Sequence, residues 1–150
     1  VMPYSVEHSN NFHMARRIVK AIAPDFRVFA TEELEPGHSV LDLVNKTIEV
    51  PDFQDEIHTV ALILFQVGHV RLKNTAGLEE HFGNIEDIGS KRLISRLVKQ
   101  GANADRLAAD WAVEVLTGVF NVTEARAKAI IEPQVWNEEE WRDHFSLDAN

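Results

Sequence analysis

The sequence contains no cysteine among its 150 residues. Disulfide bonds, thiolate metal sites and cysteine nucleophiles are therefore excluded, and a reducing cytoplasm is the compartment that this absence favours. Glycine and proline are also scarce, with 7 and 5 residues, which argues against a disordered or low-complexity chain. The longest apolar run, from Val60 to Phe65, is far too short to span a bilayer, so we expect no membrane segment.

The sequence has no glycine-rich phosphate loop and no Gly-x-Ser-x-Gly motif, so two common enzyme sites lack support. The formal charge of −9 and the pI of about 5.2 argue against a broad phosphate-binding surface, and we do not expect a nucleic-acid partner. The charge clusters are interpreted as a solvated helix face, solvated turns and a helix N-terminus. These clusters are the basic residues Lys91, Arg92, Arg96 and Lys99 and the acidic runs Glu32–Glu35 and Glu138–Glu140.

The length and the hydrophobic fraction of 45% predict one domain, spanning residues 1–150, that can bury its own core. The first helix is expected to begin at an Asn10 cap, to bury an apolar stripe and to end near Ile22, before Pro24. Three short strands are expected next, with a hairpin between the last two and with Pro51 closing the third. They are Phe26–Ala30, Val40–Val44 and Thr47–Val50.

A long helix capped by Asp52 and reaching about Leu72 is predicted after the strands. Its central stretch, Val60 to Phe65, is apolar on every side, which predicts a buried central helix. Four further helices are expected. They are Ile85–Gln100 ended by Gly101, Ala104–Val119 capped by Asn103, Thr123–Ile130 before Pro133, and a last helix to His144 that opens with a capping box of Asn137 and Glu140. This order predicts a helix-rich α+β fold with a small sheet packed on the central helix.

The central helix carries the sequence Phe65-Gln66-Val67-Gly68-His69, which has the frame of the zinc-peptidase motif His-Glu-x-Gly-His. Three further segments match in order and spacing: an apolar strand at Thr47–Val50, an acidic and aromatic helix at Asp105–Leu116, and the short phrase Phe120–Thr123. Together, roughly residues 40 to 130 resemble the ImmA/IrrE-type metallopeptidases of the wider zincin group. The resemblance implies a metallopeptidase-like fold.

Carried over by position, the resemblance implies a degenerate active site. Phe65 stands at the first metal-ligating His and Gln66 at the general base. His69 matches the second His, and Asp105 matches the third, carboxylate ligand, one methylene shorter than the usual Glu. Phenylalanine cannot ligate a metal and a neutral amide is not a useful base, so we expect no catalytic residue and no cofactor. His69 and Asp105 would be vestiges of a metal site.

The function implied by this resemblance is binding. A degenerate member of the family could hold a protein or peptide in the old cleft without cutting it. Because active members of the family cut or regulate repressor proteins, the resemblance suggests a transcriptional repressor as the partner.

One alternative is a working metal-dependent hydrolase with an atypical ligand set. His69 and Asp105 would supply two ligands to a zinc ion, and a catalytic zinc usually has three protein ligands. The third would come from Glu79, Glu80 or His81 if that segment folds back toward the central helix.

A second alternative is a plain helical interaction module. It predicts no sheet packed on the central helix and no proximity of His69 to Asp105. In that case His69 is an ordinary core or helix-end histidine, and Phe65 and Trp111 are plain core residues.

The remaining histidines offer no further ligand set. His58 lies on the same face of the central helix as His69, but at about 1.5 Å per residue the two are ~16 Å apart along the axis. His8 and His13 are expected to be exposed to solvent.

Overall fold

A computed structural model describes residues 5–52, 54–76 and 91–149 of the chain. Within these residues there are one mixed three-stranded sheet, five α-helices and two short 3₁₀ turns, at Val6–His8 and Glu132–Gln134. The predicted helix-rich α+β class is confirmed. In chain order the elements are α1 (Asn10–Ile22), β1 (Arg27–Thr31), β2 (Val40–Asp42), β3 (Thr47–Pro51), α2 (Glu56–Ala76), α3 (Lys91–Gly118), α4 (Glu124–Ile131) and α5 (Glu138–Ala149).

Helix α1 is capped by Ser9 rather than by the predicted Asn10. Ser9 has an extended backbone, and its hydroxyl accepts a hydrogen bond from the Phe12 amide, whereas Asn10 is already helical. The helix ends at Ile22 as predicted, shortly before Pro24. Its buried face consists of Phe12, Ala15 and Val19.

Strand β3 lies at the centre of the sheet, parallel to β1 and antiparallel to β2. The parallel register pairs Arg27 with Thr47 and ends with Thr31 opposite Pro51. Both strands keep their predicted bounds to within one residue. Pro51 is the last residue of β3, as expected for a residue that cannot donate to the ladder.

Strand β2 ends at Asp42, two residues before the predicted Val44. The Asp42 carboxylate accepts hydrogen bonds from the backbone amides of Val44 and Asn45, and this turn takes the chain out of the strand. The Asn45 hydrogen bonds hold the pKa of Asp42 below its ordinary value. The predicted hairpin is confirmed, and Lys46, with a φ of 56°, completes its loop.

Helix α2 is capped by Asp55 rather than by the predicted Asp52. The Asp55 carboxylate accepts a hydrogen bond of 3.0 Å from the His58 amide. Asp52 instead accepts from the Ser5 hydroxyl and the Val6 amide, at 2.7 and 2.8 Å. Asp52 therefore ties the first 3₁₀ turn to the end of β3 instead of starting the helix.

The central part of α2 is buried as predicted. Residues Val60–Leu64 are fully buried, and Phe65 is 5% exposed. Ile48 and Val50 of β3 belong to the same hydrophobic cluster, so the predicted packing of the small sheet on the central helix is confirmed. The helix reaches Ala76, the last described residue of this segment, and so extends beyond the predicted end near Leu72.

Helix α3 is continuous from Lys91 to Gly118, so the predicted break at Gly101 and the predicted cap at Asn103 are wrong. A Cβ atom on the buried Gly101 would lie 2.7 Å from ring atoms of Trp141. The glycine makes room for a distant side chain instead of ending a helix. Glycine inside a helix costs about 1 kcal/mol relative to alanine, and the packing of Trp141 offsets this cost. The part of the helix predicted before Lys91 lies outside the described residues.

The last two helices begin where the sequence predicts. Thr123 caps α4 by accepting a hydrogen bond from the Arg126 amide. Asn137 and Glu140 form the predicted capping box of α5, because each side chain accepts from the backbone amide of the other. Helix α5 continues to Ala149, beyond the predicted end.

The charged surface agrees with the predictions where its side chains are described. The acidic residues are exposed, in the turn after β1 and in the first turn of α5; they are Glu32, Glu33, Glu35 and Glu138–Glu140. All four residues of the basic group lie on α3, and Lys99 is exposed, but the other three side chains lie outside the description. In the described ranges no helix is both long and apolar enough to cross a membrane.

Helices α2 and α3 approach each other closely at Gly68. A Cβ atom on Gly68 would lie 3.1 Å from the carbonyl oxygen of Ala108 and 3.2 Å from its Cα and Cβ atoms. The absence of a side chain therefore sets the spacing of the two helices. The contact is adjacent to His69 on α2 and one turn from Asp105 on α3.

The variant Gly68→Val is expected to lower the free energy of unfolding by about 1–3 kcal/mol, because the branched side chain forces α2 and α3 apart. The matched control is Gly118→Val, at the last residue of α3, where an added Cβ meets nothing within 4 Å. The control should change stability by less than about 0.5 kcal/mol. Urea denaturation measures both, and equal losses would contradict the close packing.

An ion pair joins α3 to the turn that follows α4. The Arg106 guanidinium donates two hydrogen bonds to Glu132, at 3.2 and 2.8 Å. These hydrogen bonds hold the pKa of Glu132 below its ordinary value of 4.5 and raise the pKa of Arg106. Both side chains are nearly half exposed, so solvent weakens their attraction.

The variant Glu132→Gln is expected to lower the free energy of unfolding at neutral pH by about 0.2–1 kcal/mol. Because the folded-state pKa is depressed, the stabilisation is fully present above 4.5 and is lost as the pH falls through the folded pKa. Urea denaturation at about pH 7 and about pH 3 should therefore show a difference from wild type that shrinks in acid. Glu33→Gln, in an exposed turn, is the control, and a difference for Glu132→Gln that persists in acid would contradict this assignment.

Candidate functional site

The candidate site lies where α2 and α3 meet, beside the Gly68 contact. His69 Nε2 and Asp105 Oδ1 are 2.9 Å apart, so the two residues that the family resemblance brings together are in direct contact. The His69 side chain is 21% exposed and Asp105 is 4% exposed. The imidazole of His69 therefore reaches the surface, whereas the carboxylate of Asp105 lies inside the protein.

Both oxygens of Asp105 have polar partners. Oδ1 faces His69 Nε2, and Oδ2 accepts hydrogen bonds from the backbone amide of Trp136 at 2.9 Å and from the indole Nε1 of Trp141 at 3.2 Å. The buried carboxylate is therefore paired at each oxygen, as buried polar groups usually are.

Phe65 and Gln66, the two positions that depart from the peptidase motif, are both engaged in packing or hydrogen bonds. The Phe65 ring lies edge-on to the His69 imidazole, with ring centroids 4.9 Å apart and planes at 88°. The Gln66 amide Nε2 donates a hydrogen bond of 2.8 Å to the hydroxyl of Ser39, immediately before β2. An aromatic ring and a neutral amide therefore occupy these two places in the fold.

The described residues do not fit a catalytic zinc ion. Zinc binds imidazole nitrogen and carboxylate oxygen at about 2.0–2.2 Å, through lone pairs aimed at the ion. Here His69 and Asp105 supply two such atoms, Nε2 and Oδ1, which are 2.9 Å apart, and the Phe65 side chain supplies none. Within residues 5–52, 54–76 and 91–149, no group of three His, Asp or Glu residues is placed to hold a metal. The suggested third ligands Glu79, Glu80 and His81 lie outside those ranges.

The other histidines lie away from this pair. His8 and His13 are exposed, as predicted. His58 is half-buried near the start of α2, and its Nε2 atom is buried without a hydrogen-bond partner among the described residues. The separation of eleven residues along one helix keeps His58 about 16 Å from His69, since α-helices rise about 1.5 Å per residue.

Phe65 and Trp111 both pack against the hydrophobic core. Trp111 is half-buried on α3, with the Arg71 guanidinium 5.8 Å from its ring centroid. Their part in core packing agrees with the simple interpretation of aromatic residues at helical spacing.

Three residues of the site were missed by sequence reasoning. Ser39, Trp136 and Trp141 carry no motif, and they reach α2 and α3 from distant parts of the chain. The single available signal was Gly101, a glycine with helical pattern on both sides, which can indicate a close approach as well as a helix end.

Comparison with protein-family models, with curated proteins and with solved structures finds no match to this chain. The resemblance to the ImmA/IrrE-type metallopeptidases therefore remains a hypothesis that rests on the residues themselves. The geometry of His69 and Asp105 is an observation that stands without it.

The variant Asp105→Ala is expected to lower the free energy of unfolding by about 2–5 kcal/mol, because it leaves the N–H donors of Trp136 and Trp141 and the imidazole of His69 without their partner. Asp110→Ala, an exposed aspartate on the same helix, is the control and should cost no more than about 1 kcal/mol. Thermal and urea unfolding of both variants provide the comparison. A loss for Asp105→Ala no larger than that of the control would show that these contacts contribute little.

Proposed function

We propose that this chain is a metallopeptidase-like domain in which a contacting pair, His69 and Asp105, stands where the family has its metal site, and that it acts by binding a protein or peptide. The observation that carries the proposal is the 2.9 Å contact between His69 and Asp105. These are the two positions at which the resemblance retains metal-ligand residue types. They meet across α2 and α3, and the strand β3 precedes α2 as the resemblance requires.

The chemistry of the site supports binding rather than cleavage. Hydrolysis by a zinc peptidase needs a metal-bound water and a carboxylate that takes its proton. Phe65 offers no ligand, and the amide of Gln66 donates to Ser39 and cannot accept a proton at neutral pH. The two changes occur together and remove both requirements.

The edge of the sheet supports a peptide or an extended protein segment as the partner. In the described sheet β2 is an edge strand, paired with β3 on one side, and Val40 within it is exposed. Ser39 at its start is hydrogen-bonded to Gln66, so this edge adjoins the site. An extended segment can add to such an edge through backbone hydrogen bonds. The family resemblance suggests a transcriptional repressor in the cytoplasm as the source of that segment.

The two alternatives receive less support. A plain helical module predicts neither the packing of the sheet on α2 nor the contact of His69 with Asp105, and both are present. A metal-dependent hydrolase would need a third ligand beside His69 and Asp105, and in the described part of the chain no group of three His, Asp or Glu residues is placed to hold a metal.

The purified chain is expected to contain far less than one zinc per molecule and to cleave no peptide, because its ligand set is incomplete. Metal analysis by mass spectrometry after dialysis against zinc measures the first, and incubation with a mixed peptide library measures the second. About one zinc per chain, lost in His69→Ala, would overturn the proposal.

A back-substitution makes the same test in the opposite direction. The triple variant Phe65→His, Gln66→Glu and Asp105→Glu restores the family motif and should bind about one zinc per chain, provided circular dichroism shows it folded. The same triple variant with His69→Ala is the matched control and should bind much less. A folded triple variant that binds no more zinc than this control would count against the resemblance to the ImmA/IrrE-type metallopeptidases.

A further inference from the structure

The segment from Trp136 to Trp141, called the C-terminal cap below, covers the buried side of the candidate site. Its backbone amide at Trp136 and its indole N–H at Trp141 both donate to Oδ2 of Asp105. The two indole rings contact each other edge-on, with centroids 5.0 Å apart. The cap therefore places two aromatic rings in contact and directs one backbone N–H and one indole N–H to the same carboxylate.

The surface beneath the cap is shaped for an indole ring. Gly101 lies one turn before Asp105 on α3, and an added Cβ atom there would lie 2.7 Å from the Cδ2 and Cε2 atoms of Trp141. These ring-fusion atoms cannot move aside as the end of a flexible side chain can. Gly101 and Asp105 together form a seat, in which the glycine admits the flat ring and the aspartate accepts its N–H.

The cap is attached at the edge of the fold. Helix α5 packs mainly on α3, Trp136 is 38% exposed, and the residues between the two tryptophans are exposed. Just before the cap, Gln134 donates to the Gly37 carbonyl oxygen at 2.9 Å. A segment with exposed residues at the edge of a fold can open locally at a smaller cost than global unfolding.

We propose that the C-terminal cap is an internal occupant of the site, and that the seat of Gly101 and Asp105 recognises a tryptophan-bearing segment of a partner protein when the cap leaves. The occupant is defined by the chemistry of the cap: an aromatic ring flat enough to lie on Gly101 and an N–H group that donates to Asp105. The inference rests on the proposed function, because it takes this site as the place where a protein segment binds.

Competition within the chain follows from this arrangement. A tethered segment has an effective concentration in the millimolar range, so a free segment of the same sequence cannot displace it easily. Weakening the cap should therefore unmask the seat for a segment supplied from outside. The seat itself should remain selective for an indole with its N–H.

The test uses a fluorescently labelled synthetic peptide with the sequence of residues 133–149 and the full-length chain carrying Trp141→Ala. Fluorescence anisotropy should show that the peptide binds this variant at least about 10-fold more tightly than wild type, because the intact cap competes in wild type. Replacing the tryptophan that corresponds to Trp141 by phenylalanine in the peptide removes the N–H and should weaken binding at least about 5-fold, as expected for loss of a hydrogen bond to a charged acceptor.

Two double variants locate the binding to the seat. Adding Gly101→Ala to Trp141→Ala fills the space for the ring with a single methyl group, and adding Asp105→Ala removes the acceptor. Each should reduce peptide affinity at least about 10-fold, while Asp110→Ala added to Trp141→Ala should leave it unchanged. Equal peptide binding to wild type and Trp141→Ala, or peptide binding that survives the addition of Gly101→Ala, would overturn the proposal that the cap occupies a binding site.

Circular dichroism of every variant establishes that it is folded. If Trp141→Ala is not folded, the titration is made with Trp141→Phe, which keeps a ring on Gly101 and lacks the N–H. Tighter peptide binding to Trp141→Phe than to wild type then supports the proposal, and equal binding contradicts it. Zinc content is measured on the same preparations. A peptide that fails to bind a zinc-free chain refutes the cap and leaves the proposed function standing, whereas stoichiometric zinc in wild type refutes the proposed function.

Discussion

The carboxylate of Asp105 is the constraint on which the arrangement of the later helices depends. Helix α2 brings the imidazole of His69 to it, residue 136 a backbone amide, and α5 an indole N–H. A buried carboxylate without partners costs on the order of several kcal/mol, so these contacts favour the packing of all three segments on α3. The close approach at Gly68 sets the helix spacing at which His69 can reach the carboxylate.

Much of the fold follows from local patterns in the sequence. The apolar stretch ending at Phe65 predicts the buried helix, and the pair Asn137 and Glu140 predicts the start of α5, because periodicity and capping depend on neighbours within a few residues. The contact of His69 with Asp105 could be anticipated from the family frame, although the two are 36 residues apart in the chain. The two N–H groups of Trp136 and Trp141 that bind the other oxygen of Asp105 could not.

The errors arise where a distant partner decides the role of a residue. Gly101 has the appearance of a helix end, but Trp141 requires its lack of a side chain. Asp52 is as good a helix cap as Asp55 by residue type, and contacts with the N-terminal turn take it away from that role. Ser9 is preferred over Asn10 because the chain is still extended at Ser9. For Gly101 and Asp52, tertiary geometry chooses between residues that local preference treats as equal, whereas for Ser9 the local backbone conformation decides.

The distribution of tryptophan has a consequence for spectroscopy of this protein. Of the three tryptophans in the chain, Trp111 lies on α3 beneath the guanidinium of Arg71, and Trp136 and Trp141 lie beside Asp105. The sheet and α1 contain none. Intrinsic tryptophan emission therefore reports on α3 and the segment beside Asp105. A melting curve recorded by fluorescence can diverge from one recorded by far-ultraviolet dichroism whenever this region and the rest of the molecule do not unfold together.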